Sequence, residues 1–355
     1  MKNQKTKNQT IDTDKSSRPR SDKIFSLIAI FGGVLLSLAA IEFASRTMLD
    51  DGMNFDLEMW KYAREIKRVS PIEGLGHDHT PNTRGTYMGA SVAINSLGYR
   101  DREYALEKPK GAVRILMIGD SVTFGWGVEL EDTVAKKLEV RLNRPESPYP
   151  VEVINTGVGN YNTVMEVKEF IERGSKLKPD IVVLNYFIND AEPTPRRRDL
   201  SLLEYFHSAT FVMGRVDRLQ RLYFGKGDWR NYYSGLYDED SVNWLETKSA
   251  IKRLVQYCLE NDIKIIIANY PELHEFTPYP FQHVTDKLKL LTQSLGVPFV
   301  DLLPAVATLE PSNLWVSPTD AHPNRRATEV FAAVLEKVLR TSPVALLPRQ
   351  PELAQ

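Results

Sequence analysis

Four short polar segments of this sequence carry the side chains that acyl transfer requires. They are Gly119–Ser121 (GDS), Asn155–Thr163 (NTGVGNYNT), Tyr186–Pro193 (YFINDAEP) and Ser317–Asn324 (SPTDAHPN). Each one alone is weak evidence, because Gly, Asn, Asp and Ser are also favoured in ordinary turns and helix caps. Taken together, they supply a serine, a histidine, carboxylates and amide donors.

A serine hydroxyl is a poor nucleophile at neutral pH, so it needs a base within hydrogen-bond reach and a carboxylate that orients the base. Ser121, His322 and Asp320 are the candidates for these roles. Asp320 is the only acid within four residues of His322, and side chains two positions apart point to the same side of an extended segment. The tetrahedral intermediate also needs donors aimed at its oxyanion. The candidates are the backbone N–H of Ser121, a backbone N–H in the Gly157–Asn160 loop, and the side-chain amide of Asn189.

The segments that would position these residues alternate between apolar strands and amphipathic helices. The strand candidates are RILMIG, VEVINT, IVVLNYF, IKIIIANY and PFVDLL, and the helix candidates are TVAKKLEVRLN, TVMEVKEFIERGSKL, VNWLETKSAIKRLVQYCLEN, FQHVTDKLKLLTQSLG and RRATEVFAAVLEKVLR. This alternation predicts an α/β domain with a parallel sheet covered by helices on both faces. In such sheets the site lies beyond the carboxyl ends of the strands, where Gly119–Ser121 falls.

The predicted domain covers residues 110–342 and contains an aromatic-rich insertion at about 191–240. An insertion at this edge of a sheet is commonly a lid or a binding wall. A helical excursion whose aromatic side chains pack onto the domain explains the composition equally well, and the sequence leaves both interpretations open. Residues 45–109 are polar and rich in turn signals, which predicts an irregular connector packed on the main domain. Residues 343–355 are predicted to be a flexible tail.

Composition bounds the class of protein. The chain has 355 residues, 42% hydrophobic and 26% charged, which is typical of a globular protein. Its formal net charge of −1 gives no reason to expect a nucleic-acid partner. The single cysteine, Cys258, excludes an intramolecular disulfide and a cysteine-rich zinc site. His77 and His79 are interpreted as part of a solvated polar loop rather than as metal ligands, so no metal site is predicted.

The N-terminal region predicts a membrane anchor. Residues 1–23 are polar and basic, which predicts a disordered cytoplasmic tail, and residues 24–44 are predicted to be a transmembrane signal anchor. Seven Lys or Arg residues precede the apolar run, so the positive-inside rule predicts a single-pass protein of the cytoplasmic membrane with its body exported to the periplasm or beyond. A cleaved signal peptide and a buried core helix are the alternatives, and we favour the uncleaved anchor.

On its four polar segments the chain resembles the SGNH hydrolases, also called GDSL esterases and lipases. The resemblance runs from about Asn95 to the end of the last predicted helix, and the lead-in NSLGYRD resembles that of membrane-attached members. It implies a flavodoxin-like three-layer α/β/α sandwich and the hydrolysis or transfer of acyl esters without a metal or organic cofactor. It also implies that Ser121 is the nucleophile, His322 the base, Asp320 its partner and Asn189 the oxyanion asparagine.

The chain departs from the pattern of the SGNH hydrolases at three positions. Asn160 stands where the second block commonly has a glycine that donates its N–H to the oxyanion, and asparagine keeps that donor and tolerates positive φ. Phe187 stands where the third block usually has glycine, which predicts a narrower pocket. The last block often has two residues between the acid and the histidine, whereas only Ala321 separates Asp320 from His322, a spacing also met in relatives that process cell-surface polysaccharides. The orienting acid is therefore the member of the triad that matches the family pattern least well.

The first functional hypothesis is an exported, membrane-anchored serine esterase or O-acyltransferase. Its substrate would be a small acyl ester or an acylated molecule at the membrane, such as an O-acetylated exopolysaccharide, a cell-wall glycan or a lipid. The alternative is a catalytically silent glycan-binding member of a polysaccharide export or assembly complex. A nucleotide-binding receiver module is a third hypothesis, disfavoured because the chain lacks a phosphate loop such as G-x-x-x-x-G-K-[ST]. The sequence predicts no particular protein partner.

Overall fold

The computed structural model describes residues 20–145, 147–194, 205–223, 229–341 and 347. The chain divides into two compact units, Met1–Leu49 and Asp50–Gln355. Most of the predicted disordered tail (1–23) and of the predicted C-terminal tail (343–355) lies outside the described residues. Only residues 20–23, which are helical, and residue 347 are described in those two segments.

The helices and strands alternate along most of the second unit. The helices are α1 Arg20–Met48, α2 Phe55–Glu65, α3 Ser121–Phe124, α4 Val134–Leu142, α5 Thr163–Glu172, α6 His207–Tyr223, α7 Trp229–Leu236, α8 Val242–Glu260, α9 Gln282–Ser294, α10 Leu303–Val306 and α11 Arg325–Thr341. The strands are β1 Lys67–Val69, β2 His77–His79, β3 Arg84–Tyr87, β4 Ala90–Ala93, β5 Val113–Gly119, β6 Val151–Asn155, β7 Ile181–Tyr186, β8 Lys264–Asn269, β9 Phe299–Asp301, β10 Trp315–Ser317 and β11 Asp320–Pro323.

The central sheet is parallel, as the sequence predicts, and its strand order is β6-β5-β7-β8-β9. The first of these strands in the chain, β5, therefore lies between the second and the third. The chain winds away from β5 in both directions, which opens a crevice beyond the carboxyl ends of β5 and β7. Strand β5 ends at Gly119 and β7 ends at Tyr186, so two of the four polar segments enter this crevice.

Helices cover both faces of the sheet and make a three-layer α/β/α sandwich, as predicted. Alternate residues of β5 point to opposite faces: Leu116 and Ile118 join one core cluster, and Ile115 and Met117 join the other. The first cluster includes apolar side chains of α5, α8 and α9, and the second includes those of α4 and α11. Because β5 is buried along its whole length, the backbone that leads into Asp120 and Ser121 is held in place by the core.

The prediction of an irregular connector at 45–109 is wrong for much of this segment. It contains helix α2 and two antiparallel strand pairs, β1–β2 and β3–β4. Asn54 caps α2 by accepting a hydrogen bond from the N–H of Leu57 at 3.3 Å. Leu57 and Tyr62 are fully buried. The segment from Asp50 onward is therefore part of the same compact unit as the sheet.

Helix α1 is the one described helix that is long and apolar enough to cross a membrane. It extends the predicted anchor (24–44) by four residues at each end. An N-terminal signal sequence can meet the same criteria of length and apolar composition, so the helix fits both the favoured interpretation and its cleaved alternative.

The described parts of the aromatic-rich insertion (about 191–240) include helices α6 and α7. Near the end of the insertion lies Tyr237, whose side chain is fully buried in the core. The hydroxyl of Tyr186 donates to the hydroxyl of Tyr237, which donates in turn to the carbonyl of Ile188 at 2.8 Å. The end of the insertion thus packs onto the domain directly beneath the third polar segment.

Candidate active site

Ser121 is the first residue of the short helix α3, immediately beyond the carboxyl end of β5. Asp120 caps this helix, because its Oδ1 accepts the N–H of Val122 at 2.8 Å. The turn from strand to helix places Ser121 at the surface of the crevice, with 7% of the residue exposed. The Gly-Asp-Ser sequence therefore positions the candidate nucleophile at the end of a strand that is buried along its whole length.

The structure brings Ser121, His322 and Asp320 together in one hydrogen-bonded chain. The distance between Ser121 Oγ and His322 Nε2 is 2.9 Å, and that between His322 Nδ1 and Asp320 Oδ1 is 2.6 Å. The histidine and the acid lie on strand β11, which forms a tight hairpin with β10, so their side chains point to the same side as expected. This is the order of groups that a serine nucleophile needs for its activation.

The charges of this chain favour an ionised acid beside a basic imidazole. Burial alone would raise the pKa of Asp320, but the charge and hydrogen bonds of His322 outweigh it and hold that pKa below its ordinary value. Burial alone would lower the pKa of His322, but the Asp320 carboxylate, helped by Asp120, raises it above 6.5. Asp320 is thus a permanent anion that stabilises the imidazolium formed when His322 accepts a proton.

Trp126 holds the second oxygen of the acid. Its indole Nε1–H donates a hydrogen bond of 2.9 Å to Asp320 Oδ2, and only 2% of the residue is exposed. The indole also packs near the rings of Tyr62 and His322. Sequence reasoning missed this role, although Trp126 lies five residues after Ser121 in the same motif, because nothing local indicates a partner 194 positions away.

The loop after β6 lies directly against α3. The N–H of Val158 donates to the carbonyl of Gly119 at 3.1 Å. A Cβ at Gly157 would come within 2.3 Å of the backbone nitrogen of Phe124, so only glycine permits this approach. Asn160 has a φ of 64°, the left-handed conformation in which asparagine replaces glycine most readily. No backbone acceptor pairs with its N–H among the described residues.

A relay of hydrogen bonds supports this loop from the segment before the sheet. The N–H of Gly159 donates to the hydroxyl of Tyr62 at 3.1 Å, and that hydroxyl donates to His79 Nε2 at 2.7 Å. Nδ1–H of His79 donates to the carbonyl of Gly98 at 3.0 Å. Burial lowers the pKa of His79 to about 3, which keeps the ring neutral and able to accept. The expectation that His77 and His79 lie in a solvated loop is therefore wrong: both belong to β2, and His79 is fully buried.

Asn189 lies in a 3₁₀ turn, Ile188–Ala191, that follows β7. Its side-chain amide interacts with the carboxylate of Asp120, the residue before the candidate nucleophile. Asp190 stabilises the turn, because its Oδ2 accepts the N–H of Phe187 at 3.1 Å. The third polar segment is thus joined to the first at the crevice between β5 and β7.

Three buried carboxyl groups lie beneath the site. Burial raises the pKa of Asp120, and the raised pKa values of Glu166 and Asp190 have the same leading cause, followed by the mutual repulsion of these carboxyl groups. Both side-chain oxygens of Glu166 and Oδ1 of Asp190 have no hydrogen-bond donor among the described residues. Burial and the repulsion between the Glu166 and Asp190 carboxyls both favour protonation of the pair, and a proton on either carboxyl gives the other a hydrogen-bond donor.

A cavity of about 240 Å³ lies beside the triad. Its wall includes the rings of Phe55, Phe187 and Tyr270, together with His322 and His274. The volume is below the 300–1,000 Å³ typical of pockets that enclose drug-sized ligands. Among the described residues, no group of three or more His, Cys, Asp or Glu side chains is arranged to hold a metal ion.

The sequence profile of the GDSL-like Lipase/Acylhydrolase family matches residues 117–330. No curated protein is significantly similar to the chain. Similar solved structures include a putative lipolytic protein of the G-D-S-L family from Desulfitobacterium hafniense, at 15% identity and a TM-score of 0.42, with 64% of this chain and 99% of that chain covered. An acetylxylan esterase from Geobacillus stearothermophilus is 20% identical with a TM-score of 0.42, and the match covers 64% of this chain and 93% of the esterase. A GDSL-like lipase from Bacteroides thetaiotaomicron is 14% identical with a TM-score of 0.40, and the match covers 67% of this chain and 93% of the lipase.

Proposed function

The chain belongs to the GDSL-like lipase/acylhydrolase family, and from this premise we propose that Ser121, His322 and Asp320 are the triad of a serine esterase. The observation that carries the proposal is the unbroken chain of two hydrogen bonds, 2.9 Å and 2.6 Å long, from the serine hydroxyl to the carboxylate. A catalytically silent glycan-binding member would have no use for a base held at this distance from a serine, and this disfavours the alternative.

The proposed reaction has two halves. In the first, Ser121 Oγ attacks the acyl carbonyl, its proton passes to His322 Nε2, and the alcohol leaves with that proton to give an acyl-serine. The oxyanion is stabilised by the N–H of Ser121, the N–H of Asn160 and the side-chain amide of Asn189. In the second half, a water gives its proton to His322 and attacks the acyl-serine, which releases the acid and restores the hydroxyl. If a sugar hydroxyl replaces the water, the same steps make the protein an O-acyltransferase.

The size of the cavity supports a short acyl group. Phe187 narrows the wall where relatives usually have glycine, and a volume of about 240 Å³ leaves little room for a long alkyl chain. Acetyl and other short acyl esters are therefore the proposed substrates. We infer that they are carried by a glycan at or outside the cytoplasmic membrane, since α1 and the basic residues before it favour export of the body of the protein.

Labelling with a fluorophosphonate tests the proposal directly, because this probe forms a covalent bond only with an activated serine. We expect the label on the peptide that contains Ser121 and no label on Ser121→Ala. Ser317→Ala is the matched control and should label fully. Ser317 pairs with Asp320 across the β10–β11 hairpin through its backbone, which the change to alanine keeps, and its hydroxyl is hydrogen-bonded to Thr319. An unlabelled parent protein, folded and pure, would contradict the esterase proposal and favour the silent glycan-binding alternative.

A further inference from the structure

The mouth of the cavity carries a second pair of a histidine and a carboxylate, which the proposed reaction does not use. His274 Nδ1 is hydrogen-bonded to Glu272 Oε1, and Glu272 Oε2 accepts the backbone N–H of His274 at 2.9 Å. Both residues line the cavity, but the side chain of Glu272 is 8% exposed and that of His274 is 52% exposed. Since His322 serves as the base in both halves of the reaction, the His274 pair is available for another task.

Two indole rings flank the exposed imidazole. The ring centroid of His274 lies 5.4 Å from that of Trp229 and 5.0 Å from that of Trp315. Trp315 is held by its Nε1–H, which donates to the carbonyl of Leu273 at 2.8 Å, and Trp229 is held by packing against Phe281. The two indoles and the imidazole therefore form a fixed surface of aromatic rings beside the opening, which we call the aromatic rim.

The aromatic rim and the charged groups beside it carry no net positive charge. The hydrogen bond to Glu272 raises the pKa of His274 above 6.5, while burial and the nearby Arg230 oppose this shift. Arg230 is itself paired with Glu275 at 2.7 Å. With His274 protonated, these four groups carry no net charge, and with His274 neutral they carry one negative charge. Neither state attracts a phosphate or a carboxylate. With Nδ1 engaged, Nε2–H is the donor that His274 presents to a ligand.

We propose that Trp229, His274 and Trp315 form a binding subsite for an uncharged sugar ring, the ring that carries the acyl ester. The apolar C–H face of a pyranose packs against an indole, and one of its hydroxyls accepts a hydrogen bond from His274 Nε2–H. The acyl group then enters the cavity towards Ser121. An alkyl chain would leave the Nε2–H donor without a partner, and an anionic headgroup would need a net positive charge that the rim lacks. The inference rests on the proposed esterase function for the position of the ester.

Kinetics on two kinds of ester test this subsite. The substrates are 4-nitrophenyl acetate, which has no sugar, and acetylated xylo-, manno- and cello-oligosaccharides. We expect His274→Ala to raise KM for at least one of the oligosaccharides about 10-fold or more, and to lower the ratio of kcat/KM for that oligosaccharide to kcat/KM for 4-nitrophenyl acetate by a similar factor. His274→Gln, which keeps an N–H donor, should recover part of the loss. His283→Ala, which removes a histidine of α9 outside the cavity lining, is the matched control and should change neither substrate.

A binding measurement separates this proposal from the esterase proposal. In Ser121→Ala, titration with the same oligosaccharides should change the tryptophan fluorescence in a saturable way, and His274→Ala in that background should weaken binding about 10-fold. Binding that depends on His274, combined with a parent protein that hydrolyses none of the four esters, would support the subsite and overturn the esterase. Esterase activity on 4-nitrophenyl acetate, with none of the three oligosaccharides bound or hydrolysed, would overturn the subsite alone. Tighter binding of inorganic phosphate or of an acidic oligosaccharide would also overturn it.

Discussion

The indole N–H of Trp126 and the carboxylate of Asp320 are joined by a hydrogen bond of 2.9 Å, although 194 positions separate them in the chain. Trp126 follows the short helix that begins with Ser121, and Asp320 lies on the hairpin that carries His322. The bond therefore ties the segment of the nucleophile to the segment of the base and acid. Because Asp320 Oδ2 accepts the hydrogen bond from Trp126, Oδ1 is the oxygen that interacts with His322.

Replacing Trp126 by Phe removes this donor and leaves an aromatic ring in place. A hydrogen bond to a charged group contributes about 1.5–3 kcal/mol, so we expect kcat/KM for 4-nitrophenyl acetate to fall roughly 10- to 100-fold. The midpoint of the pH–rate profile should not fall, because the carboxylate remains. Trp244→Phe, in the buried core at α8, is the control and should leave both quantities unchanged. Full activity in Trp126→Phe would show that the bond does not matter for the reaction.

The pH profile tests whether Asp320 orients the base. His322 must be neutral to accept a proton, so activity should rise with pH through its pKa, which the Asp320 carboxylate raises above 6.5. Asp320→Asn removes that charge, and we expect a lower midpoint together with a loss of kcat of about 10³–10⁴-fold. Asp286→Asn, on the exposed side of α9, serves as the control. An unshifted midpoint with little loss of rate would mean that another acid orients His322.

The proposed oxyanion donors predict a large loss of kcat for a substitution at Asn189 and almost none for a substitution at Asn160. Asn189→Ala removes a side-chain donor and should lower kcat about 10²–10³-fold. Asn160→Gly should be nearly neutral or mildly activating, because only the backbone N–H is assigned there and glycine relieves a φ of 64°. Lys67 Nζ donates to the side chain of Asn160 at 2.7 Å, and the variant loses this exposed contact. A severe loss of kcat in Asn160→Gly would assign the Asn160 side chain a role in the reaction.

The sheet and the proximity of Ser121, His322 and Asp320 could be predicted because their sequence signals are local. Each predicted strand of the sheet agrees with the observed one to within about two residues, since buried parallel strands are continuous apolar runs. The polar segments follow those strands, so the topology alone brings them to one edge. Asp320 and His322 needed only the geometry of an extended segment. In α5 the prediction ran too far: the helix ends at Glu172, and a 3₁₀ turn, Gly174–Leu177, replaces its predicted last part.

The supporting residues could not be predicted because their partners are distant in the chain. The hydroxyl of Tyr62 accepts a hydrogen bond from Gly159, 97 positions away, in the loop after β6. Tyr62 lies in a helix whose sequence, FDLEMWKYARE, is surrounded by turn signals. The same is true of His274, whose position at the mouth of the cavity depends on the fold of three separate segments. A sequence pattern reports periodicity within one element, and it carries no information on which buried polar groups will meet across elements.

A reporter fusion tests the direction in which the chain crosses the membrane. The seven basic residues before the apolar run predict that the N-terminus stays in the cytoplasm and that the rest is exported. A reporter that is active only outside the cytoplasm, fused after Gln355, should therefore be active. Replacing the seven Lys and Arg residues by Gln should reduce that activity. If a reporter that works only in the cytoplasm is active at the same position, the export prediction is wrong.

The raised pKa of Glu166 predicts how the free energy of unfolding changes with pH. In the folded protein, burial and the neighbouring carboxyl groups keep the proton between Glu166 and Asp190 on the pair. In the unfolded chain a glutamic acid loses its proton above a pKa of about 4.3. The unfolded state therefore binds fewer protons, so the pair lowers the free energy of unfolding as pH rises through this value.

Glu166→Gln keeps a donor for Asp190 and cannot ionise. We expect it to raise the free energy of unfolding by about 1–3 kcal/mol at pH 8 and to change it little at pH 4.5, measured by urea unfolding of the purified protein at both values. Glu169→Gln is the matched control on the same helix, because Glu169 accepts hydrogen bonds from Tyr99 and Arg173. It should be destabilising at both pH values. A Glu166→Gln variant that loses stability on going from pH 4.5 to pH 8, relative to the parent, would mean that Glu166 is a charged group in the folded protein.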